Sequence, residues 1–334
     1  MAPQLVVVIG ATGAQGGSIV AELLKSPEKY KIRGLTRDLS KPAAKALAAQ
    51  GVDMQQASLS GGRDTLIKVF AGANIIFGMT DFWSSGSGAV EVAQGIAIAD
   101  ASAATPTLSH FIWSALPDPV KMSQGKYLNV HHWKSKSDVM EYIKSRQPSL
   151  WKKTTTILFP NYFENCLTIP EKYLPNNISG VYILRFPHSP DTPMPNVSIS
   201  DTGKVIRTVV ENGKKYFESS IAFYSQSLSE SEKLTALGNA LNIPTQYQQI
   251  TSEEFQQELI ESGMTSELAL DFTEQLLIFE DFGNVYAQHG FIQANDIPGV
   301  SLKTWREFIQ EADLMAAMQK VSTERSGAIL HSSA

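Results

Sequence analysis

The sequence predicts an α/β protein, a doubly wound parallel sheet followed by a smaller, mainly helical C-terminal domain. Three observations predict it. Short β-branched apolar runs alternate with helical segments over the first 165 residues, the order that gives parallel strands joined by right-handed crossovers. The first of these runs leads straight into a glycine-rich turn and a helix. Beyond about residue 165 the alternation stops, proline and glycine become frequent, and helical periodicity returns only after residue 200.

Gln4 to Ile9 (QLVVVI) has the composition of a strand covered on both faces. Gly10-Ala-Thr-Gly13-Ala-Gln-Gly16-Gly17 follows, and residues 18–25 (SIVAELLK) have amphipathic helical spacing. Strand, glycine turn and helix in this order form the context of a dinucleotide-binding loop. Gly10 allows the tight turn, Gly13 the approach of backbone to a pyrophosphate, and Gly16 close packing of helix on strand. The phosphates would rest on backbone N–H groups at the helix N-terminus. A second strand covers 31–36 (KIRGLT), and Arg37 stands directly at its C-terminal end. An acid there suits a free ribose 2′-hydroxyl, whereas an Arg suits a 2′-phosphate. Guanidinium pairs bidentately with phosphate, Lys41 adds a second positive charge, and Asp38 opposes both. The pattern predicts NADP(H); the alternative is that Arg37 is a solvated charge closing a strand.

The spacing then predicts a helix over 41–50, a strand over 52–56, a helix over 63–70 and a buried strand over 74–79. An alanine-rich helix over 89–104, a strand over 109–114, a helix over 131–146 and a strand over 154–159 follow. In such sheets ligands lie beyond the carboxyl ends of the strands, here Gly10, Arg37, Ser58, Met79-Thr80, Ser114 and Pro160. Further on, strand-like pieces occur at 181–186 and 197–199, and helices over 201–211, 229–241, 252–262, 268–281 and 302–312. Those at 229 and 252 each open with Ser followed by acids. The expected division is a Rossmann-type domain over 1–165, with segments around 197–225 as candidates to return to its sheet, a smaller substrate or partner domain over 166–320, and a loose tail over 321–334.

Composition excludes several classes of function. Across 334 residues, 28 Lys plus Arg face 33 Asp plus Glu, a formal charge of −5, which argues against direct nucleic-acid binding. Cys166 is the single cysteine, so neither a disulfide framework nor a thiolate metal cluster is expected. The six histidines lack ligand spacing; His131 and His132 are adjacent and about 100° apart on a helix. No metal site is expected. No apolar run approaches the ~18 residues of a membrane span, and the N-terminal apolar stretch lacks a basic flank. A soluble, cytoplasmic protein is expected, with its oligomeric state left open. No Gly-x-Ser-x-Gly elbow supports hydrolase chemistry.

Several segments together resemble the NmrA-like proteins, atypical short-chain dehydrogenase/reductases. They are GATGAQGGSIV (10–20), LTRD (35–38), MTDFW (79–83), HHWKSKSDVMEYIK (131–144), FPNYFEN (159–165) and VSISDTGKV (197–205). EDFGNVYAQHGF (280–291) and LKTWREFI (302–309) resemble fungal members in particular. The resemblance implies an NADP(H)-binding Rossmann domain and a smaller domain enclosing a cleft. It places the phosphates at Gly10, Thr12, Gly13, Ala14, Gln15 and Gly16, and the 2′-phosphate at Arg37 with Lys41 nearby. Ser58 and Leu59 fall by the adenine, where the family often has an acid. Thr80, Asp81 and Phe82 would flank the nicotinamide ribose, Lys136 would bond its hydroxyls, and Tyr162, Phe163, Glu164 and Asn165 would cover the nicotinamide.

Ordinary short-chain dehydrogenases pair Tyr and Lys as Tyr-x-x-x-Lys on one helix face, so that the ammonium lowers the phenol's pKa. Here Ser114 matches the usual serine, but the helix offers His132-x-x-x-Lys136. Either His132 donates a proton while Lys136 anchors the ribose, or His132 packs the helix start and Lys136 only binds cofactor. Tyr127 is a third candidate acid, and Phe82 and Trp83 are candidates to line an apolar cleft. One expectation is therefore an NADPH-dependent reductase of a small apolar carbonyl, enone, imine or quinone, in secondary metabolism as the fungal resemblance implies. A second is an NADP(H)-sensing negative transcriptional regulator acting through a protein partner. The third is a non-redox acid–base enzyme with structural NADP.

Overall fold

Alternation along the first strand sets the architecture. Val6 and Val8 face one side of a sheet and Val7 and Ile9 the other, and all four are buried. The computed structural model describes residues 2–287 and 290–320; the expected tail at 321–334, together with His289 and His331, lies outside the described residues. Strands β1 (Gln4–Ile9), β2 (Tyr30–Thr36), β3 (Asp53–Gln56), β4 (Ile75–Gly78), β5 (His110–Ala115) and β6 (Thr154–Leu158) pair in the order β3-β2-β1-β4-β5-β6. Ser219–Ala222 and then Phe291–Gln293 extend the β6 edge, giving eight strands, all parallel. The seventh lies within the 197–225 stretch expected to return to the sheet. The eighth is an addition: three residues carry too little periodicity to announce a strand.

Helices cover both faces. On the Val6 and Val8 side, α1 (Ala14–Leu23) and the helix Thr202–Asn212 bury Ile19, Val20, Leu23, Val205, Ile206 and Val209. The helix α2 (Pro42–Ala49) follows β2. On the other side lie α3 (Gly62–Phe70) and α4 (Gly88–Ala103), and, after the short turn α5 (Pro119–Met122), α6 (His131–Arg146). Their buried residues Leu66, Phe70, Ile98, Ala99, Val139 and Ile143 share one core with Val7 and Ile9. Gly95 sets how closely α4 and α6 approach, because a Cβ there would lie 2.9 Å from Val139 Cγ1 and nearer still to Cγ2.

The C-terminal part contains more strand than expected. Asn161–Tyr162, Met194–Val197 and Gln226–Leu228 form one small sheet, and Asn176–Ile178, Val181–Phe186 and Thr245–Gln249 another. Several of these pieces are short and polar, so hydrophobic patterning does not reveal them; the strand expected at 197–199 runs from 194 to 197. Helices Glu230–Leu241, Ser252–Glu261, Ser266–Phe282 and Trp305–Glu311 surround them. Ser229 caps the first through a reciprocal bond with Glu232, but the cap of the second is Thr251, paired with Glu254.

The helix Ser266–Phe282 joins the two parts. One face carries Asp271, Glu274 and Asp281 toward the segment entering α6. Glu274 accepts the Asn129 N–H and Nδ2–H at 2.7 Å each, and Asp281 accepts from Tyr127 Oη and Lys126 Nζ.

Candidate functional site

A cleft of about 680 Å³ lies beyond the carboxyl ends of β1, β2, β4, β5 and β6. Its first end is built by the glycine turn. Gly10 has φ +68°, a conformation that favours glycine, and a Cβ on Gly16 would lie 2.7 Å from the Gly10 carbonyl carbon. Helix α1 starts at Gly13 with no side-chain cap and no acid in its first turn. Its leading N–H groups and its dipole therefore favour an anion.

Arg37 lines the cleft at the end of β2, and its guanidinium has no ion pair among the described residues. Asp38 does not neutralise it. Asp38 Oδ1 accepts the Ser40 hydroxyl at 2.6 Å and the Ser40 N–H at 2.8 Å, and these bonds hold its carboxyl below the ordinary value. Ser58 and Leu59 also line this end. Gln15 Nε2 lies 2.9 Å from Tyr162 Oη, while Gln15 Oε1 is buried and meets no donor. With the amide turned about, Tyr162 donates to Oε1 and the NH₂ group is left to donate elsewhere. A glycine cradle, an uncapped helix start, an unpaired guanidinium and an adaptable amide fit the phosphates of a dinucleotide.

Of the expected contacts, Gly10, Thr12, Gly13, Ala14, Gln15, Gly16, Thr80, Asp81, Phe82, Ser114, His132, Lys136, Tyr162 and Asn165 line the cleft as well. Three others do not. Lys41 is exposed at the start of α2, off the cleft. Phe163 is buried against Trp305 and Phe308, with ring centres 5.3 and 5.6 Å away. Glu164 accepts the Ser198 hydroxyl at 2.6 Å and the Ile199 N–H at 2.9 Å. The chain turns between 162 and 165, so Tyr162 and Asn165 face the cleft and the two residues between them face the C-terminal part.

The second end is an aromatic chamber. Phe82, Trp83 and Trp133 line it from the sheet side, Phe272, Gln275 and Phe279 from the helix Ser266–Phe282, and Tyr286 closes it. Ser114, at the end of β5, is buried there.

Lys136 is not a free cation. Its ammonium is paired with the carboxylate of Glu91, which is 1% exposed, and reaches the Thr80 carbonyl at 3.3 Å. Thr80 Oγ1 donates to Glu91 Oε1 at 2.7 Å, and Ser135 Oγ donates to Oε2. His132 is equally engaged. Its Nδ1 bonds the buried Asp271 carboxylate, which also accepts the His132 backbone N–H at 3.1 Å. Its Nε2 lies 3.0 Å from the Gln275 amide, and its ring packs 5.2 Å from that of Trp83. Asp271 fixes Nδ1 as a protonated nitrogen; the atom facing Nε2 is Gln275 Oε1, an acceptor, so Nε2 donates to it in the protonated ring, and in the neutral ring the amide turns about to donate its NH₂ group to Nε2.

Tyr127 does not reach the cleft: its hydroxyl is held by Asp281, and burial together with this bond pushes the phenol up to about 12. Cys166 is buried, its thiol likewise raised to about 12 by burial. No cluster of possible metal ligands occurs among the described residues, and no helix among them is long and apolar enough to cross a membrane.

Sequence reading missed Glu91, Asp271 and Gln275. Glu91 left one sign, as the only acid at the start of an otherwise alanine-rich apolar helix.

The sheet order and the glycine turn define a Rossmann-type α/β protein. The chain belongs to the NmrA-like family, whose model matches residues 2–309. An NmrA-like family domain-containing protein of Dictyostelium discoideum is 27% identical over 284 residues, 84% of this chain and 89% of that one. The NmrA-like family domain-containing oxidoreductase FrzB of Cladobotryum is 27% identical over 227 residues, 64% of this chain and 66% of that one. Relatives from both sources match, so the comparisons show the family and not a fungal branch of it. Among solved structures, NmrA, a negative transcriptional regulator, superposes with a TM-score of 0.74 at 22% identity, covering 95% of this chain and 98% of that one. The NADPH complex of a quinone oxidoreductase from Escherichia coli gives 0.71 at 17% identity, covering 92% and 99%.

Proposed function

We propose that this protein is an NADP(H)-dependent reductase of a small, planar, apolar acceptor of the carbonyl, enone, imine or quinone kind. One observation carries the reading: a single cleft joins the glycine cradle and unpaired Arg37 to an aromatic chamber beside Lys136 and Ser114. The names of FrzB and of the Escherichia coli enzyme support it. When bound, NADPH supplies hydride at the chamber end. The chain's own residues do the rest. The first N–H groups of α1 hold the pyrophosphate, and Arg37 pairs with the 2′-phosphate. Lys136, fixed by Glu91, donates to the ribose hydroxyls, and the aromatic walls exclude water from the reacting atoms.

The test is titration of the purified protein with NADPH and NADH, wild type beside Arg37→Ala, followed by turnover on a panel of quinone, enone and imine acceptors. NADPH preferred over NADH, with the preference erased by Arg37→Ala, supports the reading; equal weak binding overturns its cofactor half.

A second reading has its own observation. The helix position where ordinary relatives carry the catalytic tyrosine holds His132, and both of its ring nitrogens are bonded inside the protein. This suits an NADP(H) sensor acting through a protein partner; the structural neighbour NmrA is a negative transcriptional regulator whose structure holds NADP. Tight NADPH binding with no turnover across the panel favours it.

A further inference from the structure

Reduction of a carbonyl places a hydride on carbon and a proton on oxygen, so the cleft needs an acid as well as a cofactor. Most polar groups on its wall are engaged elsewhere. Of the three Lys136 N–H groups, one meets Glu91, one the Thr80 carbonyl at 3.3 Å, and the third serves the ribose in the reading above. Tyr286 Oη donates to the Phe159 carbonyl at 2.8 Å, and Tyr162 is bonded to Gln15. Burial raises both phenols, and that of Tyr173, well above the ordinary value. Lys172 Nζ lies 5.7 Å from the centre of the Phe272 ring, but Lys172 does not line the cleft. Asp81 offers acceptor oxygens. Ser114 offers a hydroxyl, which can polarise a carbonyl but does not give up its proton at neutral pH.

His132 is placed differently. It and Lys136 stand one turn apart on α6, and both line the cleft. One carboxylate, Asp271 of the helix Ser266–Phe282, holds it twice, accepting its backbone N–H at 3.1 Å and its ring Nδ1–H. Asp271 is 0% exposed, so a protonated ring has a fixed and dry counter-charge. On the other side of the ring, Nε2 lies 3.0 Å from Gln275 Oε1, and Gln275 is itself on the cleft wall. That amide oxygen is a carbonyl oxygen held within reach of an N–H donor.

We infer that His132, positioned by Asp271, is the acid of this cleft, that the Gln275 amide marks the place of the acceptor's oxygen, and that aldehydes and ketones are the preferred acceptors. The inference rests on the NADP(H) reading above. An acceptor oxygen takes the place of Gln275 Oε1 at Nε2. The carbonyl carbon gains a hydride from NADPH and forms the new C–H bond. The C=O π pair moves to oxygen, which takes the Nε2 proton, so that an alcohol and NADP⁺ leave. The ring, neutral with its proton on Nδ1, regains the other from water. Asp271 touches neither acceptor nor cofactor; it is a positioning residue that keeps the proton on Nδ1 and turns Nε2 to the cleft.

Two planar acceptors of similar shape, 2-naphthaldehyde and 1,4-naphthoquinone, test it with the whole protein and NADPH. Reduction of the aldehyde leaves an alkoxide, a strong base that needs an acid beside it, whereas the quinone leaves a far weaker base. His132→Ala should cut kcat on the aldehyde by about a hundredfold and on the quinone by about threefold at most. Added imidazole should restore part of the aldehyde rate alone. Asp271→Asn keeps an acceptor for Nδ1–H without the charge, and should lower the aldehyde kcat about tenfold without moving the KM for NADPH. Gln275→Leu removes the amide that competes for Nε2 and should lower the KM for the aldehyde about threefold. It leaves the His132–Asp271 pair whole, so it reads out the oxygen site even where loss of that pair unfolds the other variants. Equal losses on both acceptors, no rescue by imidazole, or an aldehyde KM unmoved in Gln275→Leu overturns the inference. The NADPH titration separates the two levels. A protein that binds NADPH with a 2′-phosphate preference yet leaves the aldehyde untouched loses only this inference; failure to bind NADPH removes the reading beneath it.

Discussion

The ammonium of Lys136 is bonded to the carboxylate of Glu91, across the interface of α6 and α4 and at the edge of the cleft. The lysine that the sequence marks as a cofactor contact is thus one half of a nearly dry ion pair. The pair is completed by Thr80 and Ser135, so Glu91 has donors on both oxygens. An arrangement of this kind keeps the ammonium at one place beside the cleft while cancelling its charge there.

Removing one partner should therefore cost far more than removing both. Glu91→Ala strands a charge in a site where Lys136 is 11% exposed, and should destabilise the protein by about 3–5 kcal/mol. Glu91→Leu combined with Lys136→Met replaces the pair by apolar groups of similar size and should recover most of that loss. Urea unfolding of the two variants against wild type measures it. Equal losses in both would mean that the pair contributes only packing.

Gly95, one turn along α4 from Glu91, sets how closely α4 approaches α6. A methyl group there meets Val139, a β-branched side chain with little freedom to turn aside, so Gly95→Ala should push α4 from α6 and cost about 1–3 kcal/mol. Adding Val139→Ala opens the space and should make the second substitution less damaging in the Gly95→Ala background than in wild type. Thermal unfolding of the double-mutant cycle reads the coupling, and strict additivity would show that the two side chains do not compete.

The cofactor end was legible because its signals are local. Gly10, Gly13, Gly16 and Arg37 are specified by the backbone that a turn or strand end requires, and a strand followed by a helix places them without further knowledge. The chamber was not. Glu91 meets Lys136 across 45 residues and Asp271 meets His132 across 139, distances over which periodicity carries no information. The helix Ser266–Phe282 was readable as amphipathic, but not which part of its apolar side turns to the core and which to a cleft. Phe163 and Glu164 failed for a related reason: resemblance places a segment, whereas the turn at 162–165 decides which side chains point inward.

Acid should loosen the attachment of the helix Ser266–Phe282. Burial works to raise the Asp281 carboxyl, but hydrogen bonds from Lys126 and Tyr127 and the Lys126 charge outweigh it, so the carboxyl lies below its ordinary value. A carboxyl depressed in the folded state contributes its full stability above the unfolded value of about 3.9, and loses it as pH falls through the folded value. Glu22, Asp53 and Glu211 are depressed in the same sense. Urea midpoints should hold level down to about pH 4 and fall below it. Asp281→Asn should be less stable than wild type at neutral pH and show a shallower fall. A variant whose acid profile matches wild type would remove Asp281 from the account.

Gln15 and Tyr162 should show opposed demands of stability and binding. The Gln15 amide has one bond to Tyr162 and a buried oxygen without a donor, so Tyr162→Phe alone leaves the amide without its partner and should cost about 1–2 kcal/mol. Gln15→Leu with Tyr162→Phe removes both polar groups while keeping their shapes, and by the same reasoning should restore wild-type stability or exceed it by about 1 kcal/mol. The double variant should nevertheless bind NADPH at least about tenfold more weakly, since a lost hydrogen bond to a charged phosphate is worth roughly 1.5–3 kcal/mol. Thermal unfolding without cofactor and NADPH titration measure the two effects separately. A double variant that is stable and binds NADPH as wild type does would show that this amide serves only the fold.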